Sequence, residues 1–410
     1  MLIQVSKKLK KLSKILPSDL YVVGGYVRNS LIGIRVNDID ITSALTIDKV
    51  IDILKDTEFT VKVKNLNTGT LLITSDNEKY EYTSFRREEY NEGGAHLPCQ
   101  VVFTNSIRED AQRRDFSINA IYYNVTKDEL IDYYQGIIDT KQKIVKTVET
   151  PEYVFSHDGE RILRMIRFAC ELNFKIEDNT LKKSRNYVKN VKDISGARKF
   201  DELEKILYSD TKYSLAEDKY LYGLKLLNKL GIWQTFGLPC FKVKYKMVKK
   251  VRDKLSGLII DIVNTVKPAN VKEFLDKLLK ESFQMNNKKY EEIIHILSSY
   301  YDALKKLDNK QYFFKYFDCF LNSKPLIYAT SKRIANKYSF FYNYILTHHL
   351  VINISDLSIN GNDISKRFPK LDKKLYSKIL DDLLNKVFDC KLDNSKEELL
   401  NYIKVNYVEN

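Results

Sequence analysis

Two patterns of hydrophobic and polar positions divide the chain near residue 150. Between residues 20 and 135, short apolar runs are separated by turns that contain glycine and polar residues, which is typical of strands in a mixed α/β region. The strand-like runs lie at 21–23, 38–42, 60–64, 70–74, 80–85, 101–103 and 120–124. Helical periodicity occurs between them at about 25–32, 46–56 and 109–118.

After Pro151 the apolar residues recur at steps of three and four, which predicts an almost wholly helical second half. We therefore predict an α+β protein, in which a small N-terminal α/β head with a mixed sheet precedes an elongated all-α remainder. The predicted segments are a head at 1–140, a helical neck at 141–208, a helical body at 209–335 and a helical tail at 336–410.

The charge of the chain indicates the kind of partner it binds. Lys and Arg number 68 against 54 Asp and Glu, so the formal charge is +14 over 410 residues. A surplus of this size is expected where the partner is rich in phosphate, although a soluble protein with many lysines is the plainer explanation. Twelve of the fifteen arginines precede residue 200. Because guanidinium groups bind phosphates and base edges in a planar geometry, the first half is expected to carry the chemistry.

Cysteine usage and the N-terminus indicate the compartment. The five cysteines are scattered without a CxxC pair, which argues against disulfides and a zinc site and agrees with a reducing compartment. The first sixteen residues have an amphipathic pattern interrupted by lysines, so we interpret them as a helix rather than a signal peptide. No run approaches the roughly 18 apolar residues that a membrane span needs. We expect a cytoplasmic protein without membrane association.

The segment from residue 22 to 41 predicts a phosphate and metal site. Asp38 and Asp40 are two apart, so a strand would place both carboxylates on one face. Adjacent carboxylates repel each other unless a cation lies between them, and Mg²⁺ prefers oxygen ligands. Gly24 and Gly25 let the backbone approach a phosphate at the start of a helix that carries Arg28. The structural alternative is a surface turn followed by exposed acids.

A second segment, 109–120, carries Arg114, Asp115 and Asn119 at the predicted end of a helix. Arginine binds phosphate oxygens, and Asp and Asn side chains bond to ribose hydroxyls, so we predict a nucleotide contact here. An ordinary helix with ion pairs is the alternative.

A third pair, Asp158 and Arg161, is three apart and is predicted to share one helical face. Cytosine and adenine each present a ring-nitrogen acceptor beside an amine donor, which Arg and Asp match, whereas uracil and guanine reverse both groups. Each unmatched buried group costs about 1–3 kcal/mol, so the pair predicts selection of C and A without a template. A simple salt bridge is the commoner fate of such a pair.

These segments resemble the class II tRNA nucleotidyltransferases, or CCA-adding enzymes, and nearly as closely the bacterial poly(A) polymerases of the same superfamily. The match runs from about residue 20 to 207, and a tail segment at 356–364 with Asn394 is similar to that of Firmicutes-type CCA-adding enzymes, which favours this type. The motifs are Gly24-Gly25-x-Val27-Arg28 with Asp38-x-Asp40, Arg113-Arg114-Asp115-Phe116-Ser117-Ile118-Asn119-Ala120, and Asp158 with Arg161, Arg164 and Arg167-Phe168.

The resemblance implies a nucleotidyltransferase head in which Asp38 and Asp40 are catalytic and hold two Mg²⁺ ions, with Glu81 as a candidate third ligand. It implies that CTP and ATP are substrates and that the helical half binds the acceptor stem and elbow of tRNA. The nucleotide-binding residues that the resemblance implies are Gly24, Gly25, Arg28, Arg114, Asp115, Asn119, Asp158, Arg161 and Arg164. Among them, Asp158 and Arg161 would read the base and Arg164 would support them.

Some positions depart from the family pattern. Asn29 stands where the family has Asp, His157 stands where it has Glu, and Ala197 stands where it has Glu. Residues 95–98 replace the Arg-Arg-Pro of a loop that helps the family's site switch from CTP to ATP. An enzyme that adds only CC or only A is therefore kept as an alternative.

From these features we expect a template-independent tRNA nucleotidyltransferase that adds C, C and A to the tRNA 3′ end and releases pyrophosphate. The alternatives are a bacterial poly(A) polymerase, a partial CC-adding or A-adding enzyme, and, from a different class, a catalytically silent RNA-binding protein.

Overall fold

The computed structural model describes residues 3–90, 94, 98–239, 242–306, 317–330, 332–348, 350–389 and 391–409. The chain divides into two compact units. The first unit is Met1–Lys244 with Ile262–Asn286, and the second is Tyr245–Asp261 with Asn287–Asn410. The candidate site lies in the first unit.

A mixed seven-stranded sheet forms the N-terminal part of the first unit, as predicted. Its strands are β1 (Tyr21–Val23), β2 (Ile39–Ser43), β3 (Thr60–Asn65), β4 (Thr70–Ser75), β5 (Glu78–Ser84), β8 (Ile121–Asn124) and β9 (Glu129–Asp132). Two further strands, β6 (Arg86–Glu89) and β7 (Gln100–Phe103), come between β5 and β8 in the chain but do not belong to this sheet. The spatial order is β3-β4-β5-β2-β1-β8-β9. β2 and β5 run parallel, and the other neighbours are antiparallel.

Two small strand pairs lie beside this sheet. β6 and β7 form a separate antiparallel hairpin, and β10 (Ile144–Val145) pairs in parallel with β11 (Lys175–Ile176). The hydrophobic pattern did not predict β6, because Arg86-Arg87-Glu88-Glu89 has no alternation of apolar and polar residues. It forms through ladder pairing with β7 and through the burial of Glu88 in an ion network, both of which are tertiary effects.

Helices pack on both faces of the sheet. α1 (Lys7–Ile15), α2 (Gly25–Leu31), α3 (Ile47–Leu54) and α5 (Gly136–Gln142) pack on one face, and α4 (Ile107–Gln112) packs on the other. Leu9 and Leu12 of α1 and Val50 of α3 are fully buried against Leu71 and Ile73 of β4 in one core cluster. This packing fixes the strand ends from which the functional side chains project.

The remainder is helical, as predicted. Its helices are α6 (Pro151–His157), α7 (Glu160–Glu171), α8 (Asp178–Ser184), α9 (Gly196–Leu207), α10 (Ser209–Lys212), α11 (Lys219–Leu230), α12 (Lys254–Val266), α13 (Val271–Asp276) and α14 (Asn287–Lys306), followed by Phe317–Thr330, Lys332–Thr347, Gly361–Arg367, Tyr376–Phe388 and Lys396–Ile403. α7 is central, since eleven of its twelve residues are buried. Thr150 caps α6 with Pro151 in its first turn, and Ser195 caps α9.

Asn394 forms hydrogen bonds with the segment 356–364, the tail segment that resembles that of CCA-adding enzymes. Its amide donates to the carbonyl of Asp356, and its Oδ1 accepts the Ser358 N–H. Leu357, Ile359 and Ile364 belong to the core cluster of the second unit. Within the part of the chain that the structure describes, no helix has the length and apolar character that a membrane crossing requires.

Candidate active site

A cleft of about 540 Å³ in the first unit gathers ten of the twelve predicted site residues. The two exceptions, Asp38 and Glu81, are not among its lining residues. The predicted residues in the cleft are Gly24, Gly25, Arg28, Asp40, Arg114, Asp115, Asn119, Asp158, Arg161 and Arg164. Segments more than one hundred residues apart in sequence therefore meet at one place.

Gly24 forms the floor of the cleft where β1 passes into α2. Its φ is +75°, a left-handed conformation that favours glycine, and it is the residue before the first turn of α2. A methyl group at this position would lie 3.7 Å from Arg114 Nη1 and 3.9 Å from Asp40 Oδ2. Gly24 itself is buried and lines the cleft between a guanidinium and a carboxylate, and without a side chain it leaves room for a ligand to approach the start of the helix.

Arg28 is a buried cation with neutral partners. Its Nη1 donates to Asn119 Oδ1, its Nε donates to Asn29 Oδ1 at 3.0 Å, and its guanidinium lies 5.3 Å from the centre of the Phe168 ring. Among the described residues, no carboxylate forms an ion pair with it. Burial lowers the pKa of Arg28, because the charged form loses hydration. A guanidinium desolvated in this way favours an anionic ligand in the cleft.

The predicted metal ligands lie on neighbouring strands. Asp40 of β2 is in register with Glu81 of β5, whereas Asp38 precedes the first residue of β2. The expectation that Asp38 and Asp40 share a strand is therefore wrong by one residue. Asp40 is exposed to solvent on β2, but the protein around its carboxyl group partly desolvates it and raises its pKa; Arg114 partly opposes this, and Glu81 and Asp38 raise the pKa further. Asp40 is thus a carboxylate that lacks sufficient positive charge around it.

The donor set fits Mg²⁺. Within the described residues, no three His, Cys, Asp or Glu side chains are arranged to hold a metal ion by themselves. Mg²⁺ is commonly held by one or two carboxylates together with substrate phosphates, so a complete protein cage is not required. The repulsion among Asp40, Asp38 and Glu81 is the kind that a divalent cation would relieve. Lys64 Nζ lies 3.8 Å from Glu81 Oε2, so Glu81 has a partial counter-charge of its own.

Asp110 anchors the arginines of the second motif. It is fully buried and accepts hydrogen bonds from Arg113 Nε at 2.9 Å, Arg114 Nη2 at 3.2 Å and the Tyr122 hydroxyl at 2.6 Å. Burial alone would raise the pKa of Asp110, but the two arginines outweigh it and lower that pKa to about 2. The predicted helix at 109–118 is wrong in extent, because α4 ends at Gln112 and a 3₁₀ turn follows at Ser117–Asn119.

Asp115 and Asn119 belong to a row of hydrogen bonds along the cleft. Asp115 Oδ2 accepts two bonds from Arg164, at 2.8 Å from Nε and 2.6 Å from Nη2. Its Oδ1 accepts the Phe116 N–H at 2.8 Å and the Asn119 amide at 3.0 Å, and Asn119 in turn accepts from Arg28. Arg164 lowers the pKa of Asp115 to about 2 against the effect of burial. The row of hydrogen bonds therefore runs from Arg28 of α2 to Arg164 of α7.

Asp158 and Arg161 meet as predicted, but not on one helical face. Asp158 lies between α6 and α7 and accepts the Glu160 N–H at 2.8 Å, and both residues of the pair are more than nine-tenths buried. Arg161 Nε lies 3.8 Å from Asp158 Oδ2, which is an ion-pair distance but too long for a hydrogen bond. Asp158 lies outside both helices because its own backbone is extended, with φ −154° and ψ 108°, and α7 begins only at Glu160.

The cleft also contains residues that are not among the predicted site residues. Arg86 and Arg113 both contact Glu88, at 2.7 and 3.4 Å, and hold the pKa of this buried carboxyl at about 2 despite its desolvation. Other lining residues are Tyr90, Arg167, Glu171, Arg198 and Tyr213. The signal that could have found some of them is the concentration of arginines before residue 200. In the loop that departs from the family pattern, residues 95–97 lie outside the described residues.

Family models match two regions of the chain. The model described as "Poly A polymerase head domain" matches residues 20–146, and the one described as "Probable RNA and SrmB- binding site of polymerase A" matches residues 173–241. The first match contains the sheet together with Gly24, Asp40 and Asp115, and the second covers α8 to α11. These matches confirm the resemblance to the nucleotidyltransferase superfamily.

Relatives with known names are similar over nearly the whole length. The CCA-adding enzyme of Staphylococcus haemolyticus is 28% identical over 397 residues, which is 95% of this chain and 94% of that protein. The Bacillus stearothermophilus CCA-adding enzyme in complex with CTP is 21% identical, with a TM-score of 0.65 and 98% of both chains covered. A tRNA nucleotidyltransferase complexed with a primer tRNA and an incoming ATP analog is 23% identical, with a TM-score of 0.61, and the match covers 83% of this chain and 99% of that one. At these identities the two solved structures establish the fold.

Proposed function

We propose that this chain, a member of the superfamily of class II CCA-adding enzymes and bacterial poly(A) polymerases, is a template-independent tRNA nucleotidyltransferase. It adds C, C and A to the tRNA 3′ end from CTP and ATP. The observation that carries the proposal is that one cleft contains Asp40, Arg28 and the Asp158–Arg161 pair. These supply, in turn, a metal ligand, a phosphate-binding cation and a base-reading pair. A purely RNA-binding protein has no need of this combination.

The reaction is proposed to be an in-line displacement at the α-phosphate. The tRNA 3′-oxygen forms a bond to the α-phosphorus, the bond from that phosphorus to the bridging oxygen breaks, and pyrophosphate leaves. Arg28 and the backbone at Gly24–Gly25 bind the triphosphate, and Arg114, whose Nη1 lies beside Gly24, adds positive charge there. Asp38 and Asp40, with Glu81 as the candidate third ligand, would hold two Mg²⁺ ions, which would activate the attacking hydroxyl and stabilise the leaving pyrophosphate.

Base selection is assigned to Asp158 and Arg161. Both are buried but separated by 3.8 Å, so a base edge that offers an acceptor and a donor satisfies them better than they satisfy each other. Cytosine and adenine have such an edge, and uracil and guanine do not. Arg164, held by Asp115, supports the pair from the next turn of α7. The ligands of the two similar solved structures, CTP in one and a primer tRNA with an ATP analog in the other, agree with this assignment.

The basic helical remainder is proposed to bind tRNA through phosphate contacts and shape, at the acceptor stem and the elbow. The matched RNA-binding region at residues 173–241 supports this assignment. A cytoplasmic location, where tRNA is processed in bacteria, goes with the proposal.

The test is a gel assay with purified protein, Mg²⁺ and tRNA that ends before C74, after CC, or with full CCA. Each substrate is supplied with CTP, ATP or both. We expect three nucleotides from CTP plus ATP, followed by a stop. Addition of only CC or only A would mean a partial enzyme, and long A tails would mean a poly(A) polymerase. No incorporation in Mg²⁺ or Mn²⁺ would refute the enzyme and leave an RNA-binding protein.

A further inference from the structure

Tyr90 lies against the base-reading arginine. It follows the last residue of β6 and lines the same cleft. The guanidinium carbon of Arg161 lies 5.8 Å from the centre of the Tyr90 ring, within the range in which a cation and an aromatic face attract each other. No motif of the sequence analysis includes Tyr90.

The other contacts of Arg161 leave its guanidinium plane weakly fixed. Its Nη2 donates to the Arg113 carbonyl at 2.8 Å, its Nη1 reaches the Val154 carbonyl only at 3.4 Å, and Asp158 lies 3.8 Å away. The Nη2 hydrogen bond is short and the Nη1 hydrogen bond is long, so the two ends of the guanidinium are held unequally. The Tyr90 ring, 5.8 Å from the guanidinium carbon, supplies a further restraint on this group.

Tyr90 is itself held in place by the ion network that also supports Arg113. Its hydroxyl donates to Glu88 Oε2 at 2.7 Å, and Glu88 Oε1 contacts Arg86 and Arg113. The Arg113 carbonyl is the acceptor for Arg161. The two restraints on Arg161 thus rest on the same buried carboxylate.

We propose that Tyr90 is a specificity-determining positioning residue, which fixes the guanidinium plane of Arg161 so that it matches the edge of C or A. The proposal rests on the base-reading role of Arg161 in the proposed function. It predicts that losing the ring relaxes base choice, because a pivoting guanidinium also meets the carbonyl groups of uracil or guanine. Losing only the hydroxyl has a smaller effect, because Glu88 keeps both arginines.

The experiment compares Tyr90→Leu, Tyr90→Phe and Tyr153→Leu with the parent enzyme. Tyr153 is a matched control, because its ring contacts His157 at 4.3 Å, as Tyr90 does at 5.4 Å, but has no recorded contact with Arg161. Single-nucleotide addition to tRNA ending before C74 is measured with CTP and with UTP, and kcat and KM are determined separately. Urea unfolding of each variant establishes that it is folded. If Tyr90→Leu is not obtained folded, Tyr90→Met supplies the same change with a flexible side chain of similar reach.

We expect Tyr90→Leu to lower the ratio of kcat/KM for CTP over UTP by about five- to thirtyfold, the range for losing a desolvated cation–π contact. Tyr90→Phe should keep the ratio within about threefold of the parent, and Tyr153→Leu should leave it unchanged. A folded Tyr90→Leu that slows both nucleotides equally, with the ratio intact, overturns the positioning role, because a merely structural residue would behave in that way. A parent protein that incorporates neither nucleotide overturns the proposed function itself, which distinguishes the two failures.

Discussion

The Asp115–Arg164 pair allows a quantitative prediction, because its contribution to stability follows from the hydrogen bonds around one buried carboxylate. We consider Asp115→Asn, which keeps the shape of the side chain and removes its charge. The substitution weakens the two hydrogen bonds that Arg164 donates to Asp115 Oδ2 and the bond with Asn119. Asp115 is only 7% exposed, so solvent screening is small.

The magnitude follows from the pKa. Arg164 and the hydrogen bonds lower the pKa of Asp115 from an ordinary 3.8 to about 2, which corresponds to about 2 kcal/mol of stability at neutral pH. Because the folded pKa is the lower one, this stabilisation is fully present above about pH 4. It is lost as the pH falls from there to about 2. The difference between parent and Asp115→Asn should therefore be largest near pH 7 and shrink below pH 4.

Trp233 provides the measurement. It is the only tryptophan of the chain, it is fully buried, and it lies in the same unit as Asp115. Its fluorescence during urea unfolding thus reports on this unit rather than on Tyr245–Asp261 and Asn287–Asn410. The control is Asp52→Asn, since Asp52 is exposed on α3 and such surface changes usually stay within about 0.5 kcal/mol.

The result that would refute the reasoning is a urea midpoint and slope for Asp115→Asn at pH 7 equal to those of Asp52→Asn. The pair would then contribute no net stability, and the desolvation cost of the two charges would cancel their attraction. A loss that persists unchanged at pH 3 would also contradict the argument, since it would show that the carboxylate charge is not its source.

Three further predictions test other parts of the cleft. Asp40→Asn should reduce nucleotide incorporation roughly a thousandfold or more. It should not lower the urea midpoint, because desolvation and the neighbouring carboxylates raise the pKa of Asp40 and make its charge unfavourable before a cation binds. Gly24→Ala and Gly33→Ala introduce a side chain at nearly equal φ, +75° and +76°. Each variant should therefore lose about 1 kcal/mol of stability. Only Gly24→Ala should also raise the KM for CTP, because Gly33 has open space around it. Glu88→Gln should lower the stability of the first unit by about 3 kcal/mol at pH 7, since the pKa of the Glu88 carboxyl is lowered from 4.5 to about 2. If fluorescence-detected unfolding shows no change, the ion network around Glu88 does not stabilise the unit.

The sequence predicted the strands of the sheet well where apolar runs were bounded by turn residues. β1, β3 and β4 lie within one residue of their predicted bounds, because Tyr, Val, Thr, Leu and Ile in short runs favour strands and glycine or polar residues interrupt them. β6, whose four residues are all charged, and β9, in which two of the four are charged, were missed because pairing with a neighbour rather than their own pattern makes them strands. Local periodicity carries no information about such pairing.

The candidate site was predictable in membership but not in arrangement. Spacing indicated that Asp158 and Arg161 would be near each other, and they are, but through a turn at Gly159 rather than along a helix. The partners of the arginines could not be predicted, because Asp110 and Glu88 act only once folding buries them beside Arg113. The sequence offers no local mark that separates such carboxylates from the many exposed ones.

The pairing of the arginines suits the proposed function, in which the cleft would bind a nucleoside triphosphate and also select its base. Arg114 and Arg164 are each bound to a buried carboxylate, Asp110 and Asp115, so their positions are set before a ligand arrives. Arg28, in contrast, has only amide oxygens as acceptors and is desolvated, so it gains most from an anion. A triphosphate should therefore derive its affinity largely from Arg28 and the backbone at Gly24. In the proposed function, the arginines with carboxylate partners would contribute geometry, and this geometry would distinguish C and A from U and G once the phosphates are bound.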